Sequence, residues 1–265
     1  MNSTLQNTTL SSVSPKSGQE GSAKKSSSLR EKAGGGLRTI ISLMRYNLKV
    51  VFGNKFVYFL GASVLFYLLI TGLNFFSDEP ATIESVYYQL MFPSLLIIFF
   101  PTVYGIQNDE DARILEIIFG IPNYRYKVWL VRLFMILVMA FVYLIFISFL
   151  SNILLVNVPV MKMTLRLMVP VTFFSMLGFF FSTLVKNGNG SAVLMVLVGL
   201  AAWIMSDTLR ASKWNVFLNP FQLPRNMSET VYQSVVESNQ LIFLIAALIA
   251  LLWGLINLQN REKFV

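Results

Sequence analysis

The sequence predicts an all-α membrane protein with six transmembrane helices, an amphipathic helix before the first span and a short charged helix between the second and third. Two observations favour this class. Of the 265 residues, 55% are hydrophobic and only 13% are charged, whereas soluble domains carry about 25% charged residues. In addition, six apolar stretches approach or exceed the roughly 20 residues that cross a hydrocarbon core about 30 Å thick. We therefore expect lipid to be the main solvent of this chain.

The composition also excludes several classes of site. The chain has no cysteine and no histidine, so disulfide frameworks, structural zinc sites, thiol nucleophiles and imidazole bases are excluded. The net charge of +8 does not indicate a nucleic-acid partner, because nine of the 21 Lys and Arg residues precede residue 56 and form a topology signal. No phosphate-binding loop of the GxxxxGK[ST] type occurs in the sequence.

The chain begins with two segments of different character. Residues 1–35 are rich in Ser, Thr, Gly and Lys and have little to bury, so we expect a disordered cytoplasmic tail. Residues 36–55 carry apolar residues at spacings of three and four, with Arg38, Arg45 and Lys49 on the opposite side. This pattern predicts an amphipathic helix along an anionic membrane surface. The alternative is a short soluble helix that packs on another surface.

Six spans then form a transmembrane domain at residues 56–258. We place them at residues 56–76, 90–106, 128–155, 167–185, 192–206 and 241–258. The second and fifth are short, and the second contains Pro93 and Pro101, which each remove a backbone donor, so its ends are open to extension. Residues 259–265 are predicted to be a cytoplasmic tail.

The orientation follows from the distribution of bases. The nine early bases, together with Arg113, Arg125 and Lys186, fall on one side, whereas the first loop on the other side contains acids and no base. By the positive-inside rule both termini and the loops 107–127 and 186–191 are cytoplasmic. We expect a multi-pass protein of the cell inner (cytoplasmic) membrane, with the lipid bilayer as a partner.

The predicted spans offer little chemistry. Asp207 and Arg210 have the spacing of a helical ion pair at a membrane interface. Two faces of small residues, at 175–182 and 246–254, let helices approach closely, more favourably within one protomer than between two. Aromatic residues near the predicted interfaces, including Trp129 and Trp203, are expected to anchor the spans there.

The most informative segment is "NDEDARILEIIFGIPNYRYKVWLVR", residues 108–132. It combines an apolar face, formed by Ile114, Leu115, Ile117, Ile118 and Ile121, with an acidic rim. Gly120 and Pro122 then end the predicted helix. If a helix held in this way between two spans is displaced, the displacement can be passed to both spans. The alternative, a charged turn that only sets topology, would need fewer apolar residues.

This segment resembles the signature cytoplasmic loop of ABC-2 type transport permeases. The residues that carry the resemblance are Glu110, Leu115, Glu116, Ile117, Ile118, Pro122 and Arg125. The similarity extends over residues 36–265, through the preceding amphipathic helix, the six spans and the final tail. One departure is the pair Arg113-Ile114, where the family commonly has Gly-Thr.

The resemblance implies a permease subunit of an ATP-binding cassette (ABC) transporter. Such a subunit is not itself an enzyme and binds no cofactor; ATP and Mg are held by separate ABC ATPase subunits, and a second permease copy or a related permease completes the membrane part. By this resemblance residues 36–55 form an interface helix and the charged loop helix is a coupling helix seated on the ATPase. The implied coupling residues are Glu110, Asp111, Arg113, Leu115, Glu116, Ile117, Pro122, Asn123, Tyr124 and Arg125, and those of the interface helix are Arg38, Arg45 and Lys49.

Two further segments take their interpretation from the same resemblance. The sequence "KNGNG" at 186–190 is expected to be a cytoplasmic turn that makes a second, smaller ATPase contact. Residues 218–225 resemble the irregular outer region before the last span, which can hold two re-entrant helices.

Three functions remain open at this stage. Export of a hydrophobic or amphipathic substrate suits the shortage of intramembrane charge. A mechanical ABC subunit could instead act on an envelope partner without moving cargo. A membrane scaffold or channel would need no ATPase at all.

Overall fold

Seven α-helices make up most of the part of the chain that the computed structural model describes, residues 56–74, 76, 80–111, 125–185 and 187–261. All of these residues belong to one unit, Leu48–Val265. The helices are α1 (Phe56–Asn74), α2 (Ile83–Val103), α3 (Gly105–Asp111), α4 (Val131–Leu154), α5 (Val160–Leu184), α6 (Gly188–Thr208) and α7 (Glu229–Arg261). A six-residue π-helical turn, Arg125–Leu130, leads into α4. The described residues include no β-strand.

The predicted count of six spans is confirmed by length and composition. The spans are Phe56–Asn74, Ile83–Val103, Val128–Leu154, Val160–Leu184, Gly188–Thr208 and Glu229–Leu258. The shortest has 19 residues, which at 1.5 Å per residue is roughly 28 Å and is enough to cross a hydrocarbon core. The predicted tail at 1–35 and interface helix at 36–55 lie outside the described residues, as does most of the predicted coupling helix.

Four spans, α2, α5, α6 and α7, begin earlier than predicted, and polar side chains cap the starts of α2 and α6. α5 begins at Val160 rather than at residue 167. α2 begins at Ile83 rather than at residue 90, since Thr82 and Ser85 form a capping box with Thr82 Oγ1 accepting from the Ser85 amide at 3.2 Å. α6 begins at Gly188 rather than at residue 192, since Asn187 Oδ1 accepts from the Asn189 amide at 2.8 Å. The expectation that 186–190 is a turn is therefore wrong for 188–190, which are helical.

The last helix also starts before its apolar stretch. α7 begins at Glu229 rather than at residue 241 and continues to Arg261. Its first turns carry Tyr232 and Val236, which are buried against Leu218 in a small cluster of their own. Residues 229–240 are thus helix rather than loop.

α5 lies at the centre of the bundle. It packs against α2, α3, α4, α6 and α7. In α2 and α5, 72% and 61% of the apolar window is buried, compared with 22% in α1 and 17% in α6. The outer faces of α1 and α6 are therefore apolar surfaces without a protein neighbour among the described residues, as expected of helices in contact with lipid.

Small residues allow α5 to approach its neighbours closely. A Cβ on Gly178 would lie 2.7 Å from Oγ1 of Thr102 on α2, and a Cβ on Gly254 of α7 would lie 2.9 Å from the ring of Phe179. Both faces of small residues predicted from the sequence are thus used for packing within one protomer.

Hydroxyl groups hold α1 against α2 and α4. Ser63 Oγ donates to the carbonyl of Pro93 at 2.7 Å and also shares a hydrogen bond with the hydroxyl of Tyr143. One turn further along, the hydroxyls of Tyr67 and Ser151 lie 2.9 Å apart. In the absence of water, such partners within the protein stabilise polar groups that would otherwise be exposed to lipid.

We predict that Gly178→Ala destabilises the bundle, whereas Gly61→Ala does not. Thr102 Oγ1 is held by the Ile98 carbonyl at 2.8 Å and cannot move away freely, so overpacking should cost about 1–3 kcal/mol. A Cβ on Gly61 meets nothing within 4 Å. Thermal unfolding in detergent, followed by circular dichroism, should show a lower Tm for the first variant only. An equal Tm for both variants would contradict the close α2–α5 contact.

Candidate functional site

An apolar groove with a cavity volume of about 890 Å³ lies between α1, α2 and α6. Phe174 of α5 and Phe217, which follows α6, also contribute to its lining. Its other lining residues are Phe59, Phe66, Ile70, Asn74, Ser85, Tyr88, Gln89, Met91, Phe92, Leu95, Leu96, Phe99, Met195, Val196, Gly199, Leu200 and Trp203. Ligand pockets commonly have volumes of about 300–1,000 Å³, so the groove can hold a small molecule or a lipid-like chain.

Aromatic rings shape the groove and leave its side open. Phe66 of α1 and Phe92 of α2 lie with ring centroids 4.6 Å apart, and Trp203 of α6 meets Phe217 at 5.8 Å. The side chains of Phe92 and Trp203 are 52% and 56% exposed although they line the groove. The groove therefore opens laterally, towards the surface of the bundle.

A short chain of hydrogen bonds marks one end of the groove, near residues 75–82. Asn74 Nδ2 donates to Gln89 Oε1 at 2.9 Å, and Gln89 Nε2 donates to Thr71 Oγ1 at 2.6 Å. Tyr88 lies beside this chain, and its hydroxyl donates to Gln222 at 3.3 Å. By the predicted orientation this is the outer end, and its polar groups are amides and hydroxyls.

Two asparagines connect the groove walls at this outer end. Asn219 Nδ2 donates to the Glu84 carbonyl at the start of α2 at 2.9 Å, and Asn215 Nδ2 donates to the Ser206 carbonyl near the end of α6 at 3.2 Å. We call these two contacts the outer tie. Each asparagine Oδ1 also accepts from the amide two residues ahead, at 3.0 Å, as in an Asx turn.

The outer tie is itself held by α7. Asn239 Nδ2 donates to the Asn215 carbonyl at 2.7 Å, and the Tyr232 hydroxyl donates to the Asn219 carbonyl at 2.6 Å. Residues 209–228 form consecutive turns. The two re-entrant helices that the resemblance suggested around 218–225 are therefore not formed; side-chain hydrogen bonds hold the segment instead.

A second connection, at the opposite end, joins the start of α6 to Tyr104 and α3. The amide of Gly188, the first residue of α6, donates to Gln107 Oε1 at 2.5 Å, and the Tyr104 hydroxyl donates to Asn189 Oδ1 at 3.3 Å. A Cβ on Gly188 would lie 2.8 Å from the Tyr104 ring, so only glycine permits this approach. We call these two contacts the inner clasp.

The inner clasp lies next to the predicted coupling segment. α2 ends at Val103, and after a bend at Tyr104 the chain continues as α3, which carries Glu110 and Asp111. Glu110 is exposed, and Arg125 begins the π-helical turn. The other predicted coupling residues lie outside the described residues: Arg113, Leu115, Glu116, Ile117, Pro122, Asn123 and Tyr124. So do Arg38, Arg45 and Lys49 of the predicted interface helix.

A buried arginine follows the same segment and was not singled out from the sequence. Arg132 is 7% exposed, and its guanidinium carbon lies 4.8 Å from the ring of Trp129. Trp129 is itself buried, with Phe179 at 6.1 Å, so its ring packs within the bundle rather than facing lipid. The sequence signal that could have identified Arg132 is its position inside an apolar span, because ionisable residues within spans are commonly functional. The adjacent π-helical turn is a second such signal.

Charged groups otherwise stay outside the groove. Asp207 and Arg210 form the predicted ion pair at 3.2 Å with both side chains largely exposed, and such surface pairs contribute about 0–1 kcal/mol. In the described ranges no group of three Asp or Glu residues is placed to hold a metal ion. A groove with apolar walls and uncharged polar groups at one end is suited to binding an apolar molecule.

Comparison with known proteins returned no match: no family model, no curated protein and no solved structure is similar to this chain.

We predict that Gly188→Ala breaks the inner clasp and that Gly105→Ala does not. The added methyl group would collide with Tyr104 and Gln107, and relief of this collision should cost about 1–3 kcal/mol. A Cβ on Gly105, in the neighbouring helix α3, meets nothing within 4 Å. Because the chain has no cysteine, a single Ser191→Cys can report the opening, since Ser191 is buried near the start of α6 and is not part of the clasp. Maleimide should label this thiol faster with Gly188→Ala than with Gly105→Ala, and equal rates would contradict the clasp.

Proposed function

We propose that the chain is the transmembrane permease subunit of an ABC transporter and exports a hydrophobic or amphipathic substrate. One observation carries this proposal. α2 lines the groove from Ser85 to Phe99 and, after the bend at Tyr104, leads directly into the acidic segment that resembles the ABC-2 permease loop. A push on that segment would therefore act on a wall of the groove.

The inner clasp supplies a second route to the groove. Gln107 lies in α3 and accepts from the first amide of α6, and α6 forms the wall at Met195 and Trp203. A helix transmits displacement along its axis because its backbone is internally hydrogen-bonded. Movement of α3 by an ATPase subunit would thus be passed to both α2 and α6.

α6 is the wall that we expect to move. Only 17% of its apolar window is buried, whereas α7 packs on α5 through Gly254 and α5 is the buried centre. The outer tie holds the ends of α2 and α6 through Asn219 and Asn215. Its release, together with movement at the inner clasp, would open the groove outward.

The groove favours transport over the two alternatives. A mechanical subunit or a scaffold has no need of an open, aromatic cavity of about 890 Å³ along its spans. In the proposed complex, ATP and Mg reside on separate ATPase subunits, and a second permease copy or related permease lies beside this one. Both termini are in the cytoplasm, and the complex lies in the inner membrane.

The first prediction of this proposal is a stable complex with an ATPase. Co-expression of the chain with the products of its chromosomal neighbours, followed by purification in detergent, should yield a complex that contains an ABC ATPase. Its ATP turnover should differ severalfold from that of the ATPase alone, because the coupling segment positions the ATPase subunits. No stable complex and unchanged turnover would remove the transporter proposal in favour of a scaffold or channel.

The second prediction concerns the coupling residue Glu116. Glu116→Arg should uncouple ATP hydrolysis from export, because the reversed charge opposes the proposed ATPase contact. We expect at least tenfold less export of a fluorescent hydrophobic probe from inverted vesicles, with an unchanged Tm. Glu237→Arg is the matched control, since Glu237 is exposed in α7 near its outer end. Full export by Glu116→Arg would contradict the assigned role.

A further inference from the structure

The groove has the dimensions of an elongated guest. Its lining runs from Phe59 to Asn74 on α1 and from Ser85 to Phe99 on α2, which is roughly 21 Å at 1.5 Å per residue. This is about two-thirds of the hydrocarbon thickness of a bilayer. The walls are aromatic and aliphatic along this length, and the lateral opening beside Phe92 and Trp203 admits a molecule from the membrane. One extended apolar chain fits this shape.

The polar groups at the outer end differ in what they can still bind. Ser85 Oγ is used twice by the helix cap, accepting from the Thr82 amide and donating to the Thr82 carbonyl. The Tyr88 hydroxyl donates to Gln222 and lies within hydrogen-bonding reach of the Asn219 side chain, so its oxygen keeps one lone pair for a further donor. Asn74 donates one amide hydrogen to Gln89, and no described residue donates to its Oδ1. Asn74 therefore has both a spare donor and a free acceptor beside the groove.

Among the described residues that line this end, none carries a charge that could pair with an ionised headgroup. None of the described lining residues is charged. Asp207 and Arg210, beyond the end of the groove, neutralise each other at 3.2 Å. Glu84 precedes the groove residue Ser85 but is not among those that line it. An unpaired ion among amides and rings would lose its hydration without compensation, whereas a hydroxyl or amide would be satisfied.

We propose that the groove selects an amphiphile with one extended apolar chain and an uncharged, hydrogen-bonding headgroup. The headgroup sits at Asn74 and Tyr88, and the chain lies between α1, α2 and α6. This inference rests on the proposed role of the groove as the substrate site, and it narrows the substrate class to neutral amphiphiles. Bulk phospholipids, which carry ionised phosphates, are then poor occupants.

Fluorescence quenching tests this selectivity directly. Trp203 lines the groove, whereas Trp253 lines a separate recess between α5 and α7. In lipid nanodiscs, a variant retaining only Trp203 is titrated with brominated alkyl amphiphiles of equal chain length that carry maltoside, sulfate or trimethylammonium headgroups. A variant retaining only Trp253 measures non-specific partitioning. We expect the maltoside to quench Trp203 with an affinity at least tenfold higher than the charged probes, and Trp253 to show no preference.

Substitutions at Asn74 provide the second arm and do not depend on removing tryptophans. Asn74→Leu should weaken maltoside binding about tenfold, and the isosteric Asn74→Asp should shift the preference to the trimethylammonium probe. Asn226→Leu, in the exposed outer turns, is the matched control and should leave all affinities unchanged. These variants can be measured with the natural tryptophans present, by competition against the brominated maltoside.

Each outcome has a definite consequence. Equal quenching of Trp203 by all three probes would show that the groove accepts any lipid chain. No quenching by any probe would show that a second copy covers this face. Either result overturns the inference. A preference unaltered by Asn74→Asp overturns it as well. Because the assay uses the chain alone, selective binding without ATPase coupling would count against the transporter proposal only.

Discussion

The close packing of α5 against α2 and α7 is the constraint on which the rest of the structure depends. Within a bilayer, apolar burial gives helices little reason to associate, so surface fit between small residues has to provide the attraction. Gly178 and Gly254 supply that fit on two sides of α5. With α5 enclosed, α1 and α6 remain at the edge of the bundle, and the groove forms where they do not meet.

Polar side chains then determine how the ends of the groove are closed. Backbone amides within the spans are largely satisfied by their own helices, so the remaining polar groups gain most from partners within the protein. The amides of Asn215, Asn219 and Gln107 all bond to the backbone of groove-lining helices or of the residues just before them. Such contacts are individually modest, at about 0.5–1.5 kcal/mol net, and can break and re-form. This makes them suitable for the alternating opening that the proposed transport cycle requires.

The sequence predicted the six spans because apolar length alone identifies a helix that crosses a membrane. It did not predict where α2, α6 and α7 begin, because those starts depend on hydrogen bonds of Thr82 and Asn187 and on the burial of Tyr232. The groove could not be predicted, since Phe66, Phe92 and Trp203 come from three helices and each alone resembles a lipid-facing residue. The burial of Trp129 could not be predicted either. A tryptophan near a span end resembles a membrane anchor, but here Phe179 and Arg132 pack against its ring. The coupling and interface segments remain predictions.

The central claim is that α6 moves against a fixed α5–α7 pair when an ATPase subunit acts on the coupling segment. Spin labels can be placed without interference because the chain has no cysteine. Leu165 on α5, Ile204 on α6 and Leu241 on α7 are exposed and suited to labelling. Distances can be measured by pulsed electron–electron double resonance on the ATPase complex, with and without ATP and vanadate. The distance between labels at 165 and 204 should change, and the distance between labels at 165 and 241 should stay constant. Equal changes in both distances, or none in either, would contradict the account.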